Sequence, residues 1–168
     1  MPETLDKILK IGHPDLYRLC DPVRQEEISG FGTSIELMGE CIIAFRKKYG
    51  QGRAIAAPQV GIQKRIIVIN IDRPYPIYNP EFIEKSDQMV EIWDDCMSFP
   101  ELFVKVQRHY SLKMRFRDEN WEEQVWELEG DMAELLQHEY DHLDGILATM
   151  RAIDEKSFKW REPKNELP

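Results

Sequence analysis

Gln137-His138-Glu139-Tyr140-Asp141-His142-Leu143-Asp144-Gly145, QHEYDHLDG, is the stretch that orders the rest of this chain. It contains H-E-x-x-H, as His138, Glu139 and His142. Residues four apart on a helix lie on one face, so His138 and His142 can close on a single metal ion. Glu139 projects to the same side, where it can hold or deprotonate a water activated by that ion. The flanks predict the helix. Asp131 reads as its N-cap, Glu134 completes a capping-box-like pair, and Gly145 supplies the stop. On a wheel of about 100° per residue, Met132, Leu135, Leu136, Leu143 and Ile146 fall on one side. Glu134, Gln137, Asp141 and Asp144 fall on the other. His138, Glu139 and His142 lie on or beside the apolar side, where titratable groups are costly unless something satisfies them. Two core histidines hydrogen-bonded to a buried glutamate would be one solution. A metal accounts for all three groups at once.

Working outward, Glu123 to Glu129 reads as a strand leading straight into this helix. Before it, Asp118-Glu119-Asn120 makes a turn. Leu112, Met114 and Phe116 alternate with Lys113, Arg115 and Arg117, the pattern of a half-buried strand. Arg65 to Ile71, RIIVINI, predicts a buried strand, and Pro76 to Phe82 a short extended piece with a turn at Asn79-Pro80. From Thr33 or Ser34 to Tyr49 the spacing of Ile35, Met38, Ile42 and Phe45 is helical, and Gly50 ends it. Cys20 and Cys41 read as core packing. Gly52 to Gly61, GRAIAAPQVG, packs small residues together, which suits either close approach to a ligand or a tight crossing of main chains.

Composition narrows the function. The 168 residues suit one domain, with 42% hydrophobic and 32% charged residues. A net charge of −9 argues against a chain whose main task is wrapping nucleic acid, and no specific nucleic-acid partner is expected. No signal peptide is evident at Met1-Pro2-Glu3-Thr4, and no stretch approaches the roughly 20 apolar residues of a membrane span. Three cysteines without framework spacing fit a reducing cytoplasm. The tail from about residue 154 mixes charges with Pro163 and Pro168 and is expected to fray. Its Lys156, Lys159, Arg161 and Lys164 read as a solvated face.

Two histidines need a third protein ligand if the ion is to keep an open position. His13, His109, a carboxylate or a cysteine could serve. Cys96, within Trp93-Asp94-Asp95-Cys96-Met97-Ser98-Phe99-Pro100, is the best of these, because a thiolate is a strong ligand.

With those residues in view, the chain resembles the peptide deformylase family. That family carries a glycine- and alanine-rich stretch ending in A-A-P-Q, then E-G-C-L-S or a close variant, then Q-H-E-x-D-H. This chain has GRAIAAPQVG, DDCMSFP and QHEYDHLDG in that order, and ILKIGHPDLYRLCDPV looks like the family's opening. The resemblance runs to about Ile153. It implies an α+β fold, with antiparallel strands packed around a central helix carrying the motif, in a single catalytic domain over residues 1–168. It implies hydrolysis of the formyl group from formyl-methionyl peptides of newly made proteins, with release of formate, in the cytoplasm and with transient ribosome contact. By position, Cys96, His138 and His142 match the family's metal ligands and Glu139 its general acid–base residue. Gln59 and the backbone N–H of Met97 match the donors to the formyl oxygen. Gly52, Arg53, Ala54 and Asp95 match the substrate cleft. One divalent ion per chain is implied, ferrous iron in the cell, with Zn2+, Ni2+ or Co2+ as substitutes.

The chain also departs from the family. Ala54 and Asp95 stand where the family usually has glycine, and Asp94 where it has glutamate. Ala54 would narrow the cleft by one methyl group. Asp95 would place a carboxylate beside Cys96, where it could tilt the Cys96 backbone or point to solvent; it is expected to repel acidic peptides and favour basic ones. Asp94 and Asp141 are expected to be held by Arg108. A deformylase-like protein of little activity that binds peptide N-termini is the competing reading. An H-E-x-x-H endopeptidase fits less well, given A-A-P-Q and the placed cysteine.

Overall fold

The computed structural model describes residues 2–162. Three helices, α1 (Pro2–Leu5), α2 (Gly32–Tyr49) and α3 (Gly130–Leu143), are set among eight strands. The strands are β1 (Ala54–Ala56), β2 (Ile66–Asn70), β3 (Pro74–Lys85), β4 (Met89–Asp94), β5 (Leu102–His109), β6 (Ser111–Arg117), β7 (Glu123–Glu129) and β8 (Phe158–Trp160). They pair antiparallel in two sheets, of order β1-β2-β3-β6-β7 and β4-β5-β8. This is the α+β arrangement the motifs imply.

Patterning explains the larger sheet. Ile66, Ile67, Val68 and Ile69 of β2 are all buried, so both faces of that strand are covered and the apolar run is continuous. On β6, Leu112, Met114 and Phe116 face the core while the intervening cations are only partly covered. The β6–β7 hairpin keeps regular register from Arg117↔Glu123 to Ser111↔Glu129. Its turn is held by Asp118 Oδ1, which accepts from the N–H groups of Asn120 and Glu122 at 2.9 and 3.0 Å. That hairpin delivers the chain into α3, whose Ala133, Leu136 and Leu143 pack into the core formed by Ala56, Ile67, Ile77 and Met114. Truncating a buried leucine such as Leu136 to alanine would cost about 2–5 kcal/mol.

Several expectations are corrected. The helix α3 begins at Gly130, so Asp131 lies in its first turn, where its charge complements the positive end of the helix dipole, and Glu129 occupies the cap. Gly145 does end the helix: its φ is +72°, and a Cβ there would stand 2.5 Å from the Tyr17 carbonyl. The side of α3 expected to be polar is not open to water. Gln137 and Asp141 are buried, because strand β5 and Arg151 cover them. Asn79-Pro80 is a bulge within β3 rather than a turn. Asn79 has φ +51°, and the β3–β6 register shifts between Tyr78 and Glu81.

The tail is also corrected. Residues 154–162 do not fray, because the free edge of β5 takes up β8 through Leu102↔Trp160, Phe103↔Lys159 and Val104↔Phe158. The turn before it is closed by Ser157 Oγ, which donates to Asp154 Oδ1 at 2.9 Å. Residues 163–168, with Pro163, Lys164 and Pro168, lie outside the described residues. The second sheet matters for position: β4 and β5 form a hairpin whose loop, residues 95–101, carries Cys96 against α3.

Candidate metal centre

The α3 helix places His138 and His142 one turn apart, with their Nε2 atoms 3.2 Å from each other. The β4–β5 loop brings Cys96 Sγ to 3.3 Å from His142 Nε2. All three donor atoms lie within 4.8 Å of one another, and all three residues are buried. The shorter spacings are close to the edges of a tetrahedron with bonds of about 2.1–2.3 Å, so the trio fits one divalent ion. His13 and His109 are elsewhere. His13 Nδ1 caps the turn at Asp15, and His109 Nδ1 bonds the Ser86 carbonyl.

The orientation of the trio is set by carboxylates and an arginine. His138 Nδ1–H donates to Asp94 Oδ2 at 2.8 Å, which leaves Nε2 free to face an ion. Arg108 donates to Asp94 at 2.9 Å and to Asp141 at 2.6 Å, as expected from the sequence. Burial opposes the charge on Asp94, but His138 and Arg108 outweigh it and hold the carboxyl down at about 2. Burial likewise opposes a charge on His138, yet Asp94 and Cys96 raise its pKa well above the usual value. His142 goes the other way, lowered by burial and by the charge of His138. The two histidines are therefore pushed in opposite directions in the metal-free chain, and an ion would compete with the proton on His138.

Glu139 sits beside them. Burial pushes its carboxyl up to about 7, so it changes protonation near neutrality. Its Oε2, with Arg108 Nε and His142 Nδ1, is a buried polar atom without a partner among the described residues. Gln59 is fixed from both ends. Its Oε1 accepts the Ala56 N–H at 3.0 Å, and its Nε2 donates to Ser98 Oγ at 3.2 Å and points at Cys96 Sγ at 3.5 Å. The side-chain amide thus presents N–H, not C=O, to the site.

A cleft of about 430 Å³ opens onto the trio, lined in part by Gly52, Arg53, Ala54, Asp95, Met97 and Glu139. Gly52 has φ +134°, and a Cβ there would press on the Phe45 ring at 3.2 Å, so only glycine lets α2 and β1 close this wall. Arg46 locks the same turn by donating from Nε to the Gly52 carbonyl at 2.9 Å. Asp95 is not the free charge expected. Arg161 Nη2 donates to its Oδ2 at 2.6 Å, and neither side chain is well exposed. Arg161 is correspondingly no part of a solvated face. Ser98, Arg151 and Arg161 are the residues that sequence reasoning missed. Ser98 and Arg161 act across long separations, and Arg151 acts back over the turn after α3; no local pattern marks any of them.

A helix-borne pair of histidines, a buried cysteine and a glutamate near neutrality make a candidate metal-dependent hydrolase site. Comparison specifies it further. The family model for polypeptide deformylase matches residues 5–158. The peptide deformylase of Thermotoga neapolitana is 37% identical over 146 residues, covering 84% of this chain and 88% of that protein. That of Leptospira biflexa is 34% identical over 170 residues, covering 93% and 92%. The crystal structure of the Thermotoga maritima peptide deformylase superposes with a TM-score of 0.79 at 33% identity, covering 88% of this chain and 97% of that one. A Synechococcus elongatus peptide deformylase solved in complex with actinonin gives 0.80 at 27%, covering 88% and 79%. The chain belongs to the polypeptide deformylase family.

Proposed function

We propose that this deformylase removes the formyl group from formyl-methionyl N-termini, with Cys96, His138 and His142 holding one divalent ion. The observation that carries the reading is the buried donor trio with Glu139 Oε2 unpartnered beside it. An ion held by these residues would supply Lewis acidity and lower the pKa of a water. Glu139 takes that water's proton, a role its position near neutrality suits. Gln59 Nε2 and the Met97 backbone N–H hold the formyl oxygen as negative charge grows on it. With the water oxygen bonded to the formyl carbon, the C–N bond breaks as Glu139 gives its proton to the departing nitrogen, and formate and the free amine leave. Asp94 and Arg108 keep the His138 ring in place throughout. Gly52, Arg53 and Ala54 form the wall along which the peptide lies.

Ferrous iron is the proposed ion, with Zn2+, Ni2+ and Co2+ as substitutes, because a thiolate and two imidazoles accept all four. The proposed setting is the cytoplasm, on chains leaving the ribosome, with transient ribosome contact. Among the described residues no helix is long and apolar enough to cross a membrane. The weakly active peptide-binding alternative loses ground because Cys96, Glu139, His138, His142 and Gln59 are all in place.

The test is formate release from formyl-Met-Ala-Ser, prepared anaerobically with added iron and again after chelation. Turnover that depends on the ion is expected. No formate with any of the four metals loaded would end the proposal.

A further inference from the structure

Arg161 lies beyond residue 158, where the match to the family ends. It is nevertheless one of the most heavily tied side chains near the cleft. Its backbone N–H donates to the Glu101 carbonyl at 2.7 Å. Its Nε donates to the Pro100 carbonyl at 2.7 Å, and Nη2 to Asp95 Oδ2 at 2.6 Å. The guanidinium also lies over the Phe103 ring at 4.5 Å and the Tyr49 ring at 5.4 Å. Three of these contacts, to Asp95, Pro100 and Glu101, span the loop that carries Cys96 and Met97. The contact with Tyr49 reaches the last turn of α2, whose Phe45 and Arg46 line the opposite wall of the cleft.

We infer that Arg161 is a positioning residue for the deformylation site, acting through Asp95 on the loop that bears Cys96 and Met97. The inference rests on the function proposed above. Residue 95 is bonded directly to Cys96, so fixing its side chain limits the rotation of the backbone that aims the thiolate and the Met97 N–H. A planar guanidinium can hold a carboxylate, a carbonyl and two rings together; an ammonium cannot. The same contact changes what Asp95 does. Its charge is compensated within the protein, so the wall meets the peptide without a free anion. The residue that follows strand β8 thereby supplies the cation that makes an aspartate tolerable at this position.

The test uses the metal-loaded chain for turnover and the metal-free chain for thiol reactivity, in Arg161→Ala, Arg161→Lys, Asp95→Asn and the double variant Arg161→Ala/Asp95→Asn. Lys156→Ala, an exposed change in the turn before β8, is the control and should match the parent. Arg161→Ala should lower kcat/KM for formyl-Met-Ala-Ser about tenfold, mainly in kcat, as expected when positioning is lost. It should also create a discrimination against formyl-Met-Asp peptides relative to formyl-Met-Lys peptides that the parent lacks, because the Asp95 charge is set free. Asp95→Asn on the Arg161→Ala background should erase that discrimination and lower kcat/KM no further, since the two residues act as one unit. Arg161→Lys should recover only part of the loss. In the metal-free protein, Cys96 should be alkylated about tenfold faster in Arg161→Ala, while Cys20 and Cys41, both buried, keep their rates. Parental kcat/KM with an unchanged Cys96 rate would overturn the inference. Equal acceleration at all three thiols would also overturn it, because that reports loosening of the whole fold. If the parent released no formate, the proposed function would fail, and the Cys96 rates alone would still decide the role of Arg161.

Discussion

Helix α3 buries polar groups on two sides and treats them differently. Away from the cleft, Gln137 is satisfied by both backbone groups of His109, at 2.9 Å each, and by the Ala133 carbonyl. Asp141 accepts from Arg108 at 2.6 Å and from Arg151 at 2.6 and 2.8 Å. Toward the cleft, Glu139 Oε2 has no partner among the described residues. Both sides are equally dry, so the contrast is not one of exposure. Gln137 and Asp141 are closed by the protein, whereas Glu139, the proposed proton carrier, is left with capacity to spare.

The largest effect that tests this contrast is on turnover. Glu139→Gln should keep the metal and lower formate release by about 10³–10⁴-fold, because an amide cannot carry the proton. Its melting temperature should equal or exceed that of the parent. A rate within tenfold of the parent would mean that Glu139 is only another structural carboxylate.

Asp141→Asn should give the reverse pattern. Arg108 and Arg151 would face a neutral amide, and breaking a buried pair from one side costs about 3 kcal/mol. Urea unfolding of the metal-free protein reads this directly. Unchanged stability would show that Asp141 is not the structural counterpart of Glu139.

A smaller effect, on the order of 2 kcal/mol, separates Asp94 from Glu139 by pH in the metal-free chain. The Asp94 pKa is depressed, to about 2. Its contribution to stability is therefore complete above its unfolded value of about 4 and lost as pH falls toward 2. The Glu139 pKa is raised, to about 7. Stability should thus decline as pH rises from about 4.5 to 7, as the buried group gives up its proton. Unfolding curves across pH should show the acid loss vanish in Asp94→Asn and the neutral decline vanish in Glu139→Gln. Parallel curves for the parent and both variants would sink the assignment.

The sequence made the cleft side of α3 legible and left the other side obscure. H-E-x-x-H has a fixed spacing because one ion must be met by one helix face, and such a local constraint can be read from a line of letters. RIIVINI and the alternation over residues 112–116 were legible for the same reason, as each strand's burial is written in its own period. The wheel puts Gln137 and Asp141 on the polar side; the Arg108 contact of Asp141 is expected, but nothing nearby announces that Arg151 and the β5 backbone will cover the pair. Strand β8 was hidden similarly. The segment Phe158-Lys159-Trp160 is short, charged and followed by Pro163, and only the open edge of β5 makes it a strand. The expectation for Asp95 failed with it, since Arg161 directly follows that strand.

The account turns on three donors from two elements meeting at one ion, and metal content tests that most directly. After loading with Co2+ or Zn2+ and removal of excess, the parent should carry one ion per chain, and Cys96→Ala none, because two imidazoles hold a divalent ion poorly. An ion retained in full by Cys96→Ala would contradict the assignment of Cys96, and with it the role given to the β4–β5 loop.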